Sequence, residues 1–252
     1  MLNLFNPYIY SLISNCDFID ILLFILIIYI IWSILYFTIY FTNLNKQLIP
    51  TTSHNICEKL YRMYDNEHYD ILTNLLLKDN CDKIINEADD YGNKNGWTTT
   101  RHSEYPTYDN QITTDWKCYV YIENICKQKI YSKIAEMYNI DSNDIGINEL
   151  FIAKYDMKHK QELDAHRDGS EFSFIIALND NFTGGGTYFV DTKKHISLEK
   201  GDCLVFSGQN KHKGVKIKSG TRYIIAGFLH FKNCDFCANK LYNSNTYCKG
   251  KK

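Results

Sequence analysis

An excess of either charge is what this 252-residue sequence lacks: 28 Lys and Arg stand against 29 Asp and Glu, a formal net charge of −1. A protein that coats nucleic acid needs a basic surface to neutralise phosphates, so that class is disfavoured. No Lys or Arg occurs among residues 1–20, and no small-residue cleavage site follows Phe41. A cleaved secretory signal wants both, with a shorter apolar stretch between them. Internal repeats and low-complexity tracts are absent too. Disorder is excluded from the other direction, because 45% of the residues are apolar and 15% aromatic, enough to fill a sizeable core.

What is present begins with a run of 21 uncharged residues, Ile21 to Phe41 (ILLFILIIYIIWSILYFTIYF). About 20 apolar residues span a hydrocarbon core as a helix, so the run is expected to be an uncleaved transmembrane anchor. Asp17 and Asp20 precede it and the first basic residue, Lys46, follows it. By the positive-inside rule alone, that places the larger part of the chain in the cytosol. Composition divides the chain into an N-terminal tail (1–20), the anchor (21–41), a polar stalk (42–70), a folded domain (71–232) and a tail containing Cys and Lys (233–252).

Within the domain, residues 71–90 suggest helix, with Asp79 or Asn80 as a cap for a second helical stretch running to Ala88. In 124–139, Ile125, Ile130, Ile134 and Met137 recur at spacings of three to five, which predicts another helix. From Glu149 the character changes. FIAKY, FSFIIAL, GTYFV, HISL, CLVF and RYIIAGFLHF are short β-branched and aromatic runs punctuated by Gly, Asn, Asp and Lys. The expected fold class is therefore α+β: supporting helices first, then a jelly-roll double sheet, all preceded by one membrane helix.

The chemistry sits in the strand-rich part. His166 and Asp168 are two residues apart, so on a strand they share a face. With His212 they form a two-His, one-carboxylate set that leaves open positions on a metal and suits non-haem Fe(II). A zinc hydrolase could use the same set, although it needs only one water site. Arg222 follows His212 by ten residues, just past the Lys218-Ser219-Gly220 turn. Its planar fork can hold a carboxylate bidentately. A metal triad beside such a residue fits a keto acid that chelates iron at one end and pairs with Arg at the other, namely 2-oxoglutarate. Gly184-Gly185-Gly186 is not followed by GK[ST], so it reads as a tight loop before a strand and not as a phosphate loop.

Taken together, these residues resemble the catalytic core of the prolyl and lysyl hydroxylase group of 2-oxoglutarate/Fe(II) dioxygenases. The matching features are Tyr155 eleven residues before His166, HRD at 166–168, IALND at 176–180 and GGGTYF at 184–189. KGDCLVFSG at 200–208, His212 and SGTRYIIAGF at 219–228 continue the match, and GWTTTRHSEYPTYD at 96–109 resembles the segment preceding the core. The likeness implies a double-stranded β-helix with His166, Asp168 and His212 as iron ligands. It further implies Arg222 on the distal carboxylate of 2-oxoglutarate and a hydrogen bond from Tyr155 to that co-substrate. Fe(II), 2-oxoglutarate and ascorbate as reductant are the expected cofactors, with succinate and carbon dioxide as co-products. A protein or peptide rich in Pro or Lys is the expected substrate.

The target residue stays open at this level. Arg at 222 and the spacing of Tyr155, Gln161 and Leu163 before His166 resemble the lysyl branch; length and a single anchor resemble small membrane-bound prolyl hydroxylases. Residence of collagen-modifying relatives in the endoplasmic reticulum favours a lumenal domain, against the charge rule. Two other functions compete. One is a nucleic-acid demethylase of the same fold, many of which carry a second Arg where this chain has Phe228. The other is a catalytically inactive membrane-tethered binding module.

Arg101 and His102 resemble the family segment, and a packing or substrate-loop role stands level with a direct contact; His54, His68, His159, His195 and His230 are expected on the surface or in structural roles. Nine cysteines include Cys234 and Cys237 with Cys248 near the tail, a possible zinc half-site without an evident fourth ligand. Asn181-Phe182-Thr183 is a glycosylation sequon.

Overall fold

The structure, a computed structural model, describes residues 18–48 and 69–232. The chain forms two compact units, residues 1–49 and 50–252. The first holds helix α1 (Phe18–Leu48). Its segment Leu22–Tyr40, with mean hydropathy 2.6 and no buried side chain, is long and apolar enough to cross a membrane. The helix extends beyond the expected anchor at both ends. Most of the expected stalk and the tail from residue 233, including His54, His68, Cys234, Cys237 and Cys248, lie outside the described residues.

The first described element of the second unit is strand β1 (Tyr69–Leu72), where the sequence suggested helix from residue 71. Its partner is β9 (Cys203–Ser207), in the register Tyr69↔Phe206 to Leu72↔Cys203. A pairing across so long a loop leaves no periodic signal in the local sequence, which is why Ile71 and Leu72 read as the start of a helix. Helix α2 follows at Lys78–Asn95, capped at Leu77 without a side-chain hydrogen bond. Asp79 is thus inside the first turn, where its charge complements the helix dipole. Cys81, Ile84, Ala88 and Gly92 form the buried stripe, at the spacing an amphipathic helix requires.

The expected helix over 124–139 is longer and interrupted: α3 (Tyr119–Ile125), a π-helical turn (Cys126–Ile130) and α4 (Tyr131–Tyr138). The buried residues Ile122, Cys126, Ile130 and Ile134 recur at every fourth position. On an unbroken α-helix such a stripe drifts by about 40° per step, and a wider π turn brings it back to one face.

Strands β2 (Asp109–Gln111), β3 (Ile145–Asp156), β5 (Phe172–Ala177) and β12 (Thr221–Phe231) join β1 and β9 in a six-stranded sheet, in the order β1-β9-β5-β12-β3-β2. A four-stranded sheet has the order β4-β10-β7-β8, from Leu163–His166, His212–Gly214, Thr187–Phe189 and Lys194–Ile196. A short pair, β6 (Thr183–Gly184) and β11 (Ile217–Ser219), completes the strands.

Strand periodicity sorts the larger sheet into two faces. Ile152, Phe172, Phe174, Ile176, Val205, Tyr223 and Ile225 pack in the cluster shared with the helices. Phe151, Ala153, Tyr155, Ile175, Leu204, Phe206, Ile224 and Ala226 belong to the second cluster, with Phe189 of the smaller sheet. Each such fully buried aliphatic or aromatic side chain contributes roughly 1.5–3 kcal/mol, so both faces of the larger sheet are anchored. Outward of it, Asp89 of α2 accepts from Tyr223 Oη at 2.8 Å and from Lys154 Nζ at 2.9 Å, joining the helix layer to β12 and β3.

One carboxyl in this frame is under-used. Glu171 Oε2 is buried without a hydrogen-bond partner, and burial pushes the carboxyl up to about 7 against the backbone N–H groups of Glu171 and Phe231. A carboxyl whose folded value lies above its unfolded value weakens the fold as pH rises from about 4.5 to 7. Glu171→Gln should remove that loss and raise stability at pH 8 by about 2 kcal/mol, with little change at pH 4. Urea denaturation at the two pH values checks it; equal stability of both proteins at pH 8 would refute it.

Candidate active site

The smaller sheet brings the two imidazoles together. His166 ends β4 and His212 begins β10, and the two are direct partners across the antiparallel pair, with ring centroids 4.4 Å apart. Asp168 lies beyond the end of β4, not on the strand. Its N–H bonds to Gly208 O at 2.8 Å, which turns the chain after Arg167 and returns the carboxylate to His166. A Cβ at Gly208 would meet Ser170 O at 2.1 Å, so that turn needs glycine. The sharing of a face by His166 and Asp168 is therefore made by a turn, where the sequence suggested a strand.

His166 Nε2 stands 3.3 Å from Asp168 Oδ1, and His212 Nε2 stands 3.9 Å from Asp168 Oδ2. All three groups can present ligand atoms within 4.8 Å of one another. Both Nδ1 atoms are engaged elsewhere: His166 Nδ1 donates to Asp164 O at 2.8 Å and His212 Nδ1 to Asn210 O at 2.9 Å. An imidazole that donates through Nδ1 keeps a lone pair on Nε2, the state a metal requires. Ser173 Oγ donates to Asp168 Oδ2 at 2.5 Å and fixes the carboxylate.

For Asp168 and His212 the electrostatics agree with that arrangement, whereas His166 is drawn toward its charged form by the Asp168 carboxylate. Burial would raise Asp168, but His212, His166 and the Ser173 hydroxyl outweigh it and hold the carboxyl below its ordinary value. Burial pushes His212 down, the Asp168 charge only partly offsetting it. For His166, burial is overcome by Asp168 and the Asp164 carbonyl, and the value rises.

Arg222 occupies the same cavity. It sits opposite Tyr155 in the β12–β3 pairing, with its guanidinium carbon 5.5 Å from the Tyr155 ring centre. Both are buried, at 5% and 3% exposure. Among the described residues no carboxylate pairs with Arg222, and burial lowers it from its ordinary value. A buried cation without a counter-ion is costly, so this end of the cavity fits an anion that arrives from outside. Ile175, Phe206 and Ile224 are among the apolar residues lining the same cavity.

Several contributors escaped the sequence reading. Ser173 is the polar residue of the FSF triplet, at an inward-facing position of β5; a polar side chain in that alternation was its available signal. Tyr105, at 4.9 Å from the His166 ring, and Thr107 come from the connection before β2 and carry no such pattern. In that connection Arg101 bonds to Asp109 and Glu149. His102 packs on Phe151 and Phe228. His159 is stacked on Tyr108 and bonded to Asp156; His195 bonds to Gly185 O. Four cysteines, 81, 118, 126 and 203, are buried free thiols.

Two facing antiparallel sheets, with a His-Asp-His cluster on the smaller one and a buried guanidinium from the larger, define a jelly-roll oxygenase domain. Residues 150–230 match the family model of the 2OG-Fe(II) oxygenase superfamily, and the similar proteins below support its prolyl and lysyl hydroxylase group. It is similar to human procollagen-lysine,2-oxoglutarate 5-dioxygenase 2, at 28% identity over 174 residues, covering 59% of this chain and 22% of that protein. A procollagen lysyl hydroxylase and glycosyltransferase of Acanthamoeba polyphaga mimivirus is 28% identical over 142 residues, 50% of this chain and 14% of the relative. The chain thus spans about a fifth or less of the length of these curated relatives.

Among solved structures, a Pseudomonas putida prolyl-4-hydroxylase shares the fold with TM-score 0.53 and 14% identity, covering 69% of this chain and all of that one. The viral collagen prolyl hydroxylase of Paramecium Bursaria Chlorella virus-1, in its 2OG complex, gives TM-score 0.51 at 19% identity over 66% of this chain and 98% of that one.

Proposed function

We propose that this protein is a membrane-anchored, 2-oxoglutarate- and Fe(II)-dependent dioxygenase that hydroxylates prolyl or lysyl side chains of a protein substrate. The observation that carries the reading is the pairing of a compact His-Asp-His donor set with a buried Arg222 that has no carboxylate partner among the described residues. His166, Asp168 and His212 hold the metal, Arg222 takes the distal carboxylate of 2-oxoglutarate, and Tyr155 adds a hydrogen bond to the co-substrate. Bound Fe(II) with 2-oxoglutarate and dioxygen supplies the oxidising power, and ascorbate serves as reductant. The carbonyls of Asp164 and Asn210 accept the Nδ1 protons, so that each neutral ring would offer Nε2 to the metal, and Ser173 keeps the carboxylate oriented. Ile175, Phe206 and Ile224 limit water in the cavity, so that oxidising chemistry meets the substrate.

The test is incubation of the purified protein with Fe(II), 2-oxoglutarate, ascorbate and Pro-Gly-rich or Lys-Gly-rich peptides. Succinate release and a gain of one oxygen on Pro or Lys are expected by mass spectrometry. No turnover of 2-oxoglutarate with or without peptide would leave a tethered binding module. The proposed layout is an anchor at 21–41, a stalk at 42–70 and the catalytic domain at 71–232, on the lumenal side. In intact microsomes the domain should resist added protease and Asn181, an exposed residue, should carry glycan; digestion without detergent would place it in the cytosol.

A further inference from the structure

Packing has to hold Arg222 in place, because no carboxylate among the described residues pairs with it. Its guanidinium carbon lies over the Tyr155 ring, and its stem lies against the three glycines that precede β7. A Cβ on Gly185 would stand 3.3 Å from Arg222 Cδ and 2.7 Å from the Phe182 ring. The main chain at Gly185 is therefore part of the seat of the arginine stem, and a shift of that loop removes support from the guanidinium.

The loop has little of its own to keep it there. Gly184, Gly185 and Gly186 have φ of 77°, 72° and 96°, a region glycine enters freely at a cost in chain entropy, and none has a side chain to pack. Backbone bonds from Gly185 N to Lys216 O and from Val215 N to Gly186 O, each at 3.0 Å, tie it to the segment before β11. A side chain supplies a further tie: His195 of β8 donates from Nε2 to Gly185 O at 2.8 Å. A Cβ on Gly186 would meet that same nitrogen at 2.4 Å, so the imidazole fills the space the glycine leaves. Tyr188 and His195 are direct partners between β7 and β8, which fixes the imidazole relative to the residues that leave the loop. His195 is outside the His-Asp-His cluster and does not line the cavity. Its route to the co-substrate therefore runs through the loop and Arg222.

We propose that His195 is a positioning residue for the co-substrate: its hydrogen bond to Gly185 O fixes the glycine loop against the Arg222 stem and so sets the guanidinium for the distal carboxylate. This rests on the assignment of Arg222 to 2-oxoglutarate above. The test is calorimetric titration of 2-oxoglutarate into the Fe(II)-loaded protein without dioxygen, for wild type, His195→Ala and His195→Gln, with steady-state kinetics alongside. His195→Ala should weaken 2-oxoglutarate binding about three- to tenfold, the worth of one hydrogen bond, and raise its KM in step. Fe(II) affinity and kcat at saturating 2-oxoglutarate should stay within about twofold. His195→Gln, which keeps an N–H donor, should recover part of the loss. In an Arg222→Met background His195→Ala should have no further effect, because residues acting through one another are not additive; a merely structural role would weaken binding equally in both backgrounds. Unchanged 2-oxoglutarate affinity in His195→Ala overturns the proposal, as does a parallel loss of Fe(II) affinity or an equal loss in the Arg222→Met background. A wild type that takes up no 2-oxoglutarate overturns the reading of Arg222 itself, a result distinct from a binding wild type matched by His195→Ala.

Discussion

Replacing His212 by alanine is expected to abolish Fe(II)-dependent consumption of 2-oxoglutarate and to weaken metal binding by well over about 100-fold. Outer-shell partners of metal ligands alone are worth about 10–100-fold, and this substitution removes a donor atom. Three features make the site intolerant of the loss. His212 is directly opposite His166, its Nδ1 is tied to Asn210 O, and Phe206 packs edge-on to its ring at 4.8 Å. No other imidazole in the described residues is in the cluster. Metal titration monitored by a spectroscopic Co(II) or Fe(II)–2-oxoglutarate signal reads the effect without reference to the peptide. Retention of wild-type metal affinity would remove His212 from the ligand set.

Replacing Arg222 by methionine should act differently. The KM for 2-oxoglutarate should rise by roughly 100-fold, because leaving one partner of a buried charged pair alone costs about 2–5 kcal/mol. Metal binding should be nearly unchanged, since Arg222 makes no contact with the His-Asp-His cluster. The free protein should become more heat-stable, because a buried guanidinium without a carboxylate partner burdens the fold. Added 2-oxoglutarate should raise the melting temperature of the Fe(II)-loaded wild type by mass action, and hardly that of the variant. Equal losses of iron and 2-oxoglutarate affinity would mean that Arg222 supports the whole site and not one carboxylate. The paired measurement separates those outcomes.

These expectations rest on residues that were visible in the sequence to very different degrees. His166, Asp168, His212 and Arg222 stood out because metal and carboxylate chemistry restricts which side chains can serve. Its place ten residues after His212, just past the Lys218-Ser219-Gly220 turn, likewise pointed to Arg222. Ser173 was readable in principle from its position in β5, yet one serine in a strand has many explanations. Tyr105 and Thr107 were not singled out, and His102 only as one residue of a segment resembling the family, because the connection before β2 has no periodicity and is shaped by Arg101 reaching Glu149, 48 residues away. The start of the domain failed for a related reason: Tyr69–Leu72 is a strand only because Cys203–Phe206 is there to pair with it.

By itself, the sequence determined an apolar helix long enough for a bilayer, a strand-rich second half and a set of groups suited to iron and a dicarboxylate. The first two follow from composition or a short repeat period, which any local stretch of chain displays, and the third from residue types at the spacing of a known family. Only the tertiary structure decided that Asp168 reaches the imidazoles by a turn at Gly208, and that two carbonyls and a serine orient the donors. It likewise decided that, among the described residues, Arg222 is buried without a carboxylate partner and His102 Nε2 without a hydrogen-bond partner. Such facts depend on which distant atoms come within about 3 Å of one another, and chain spacing does not encode that.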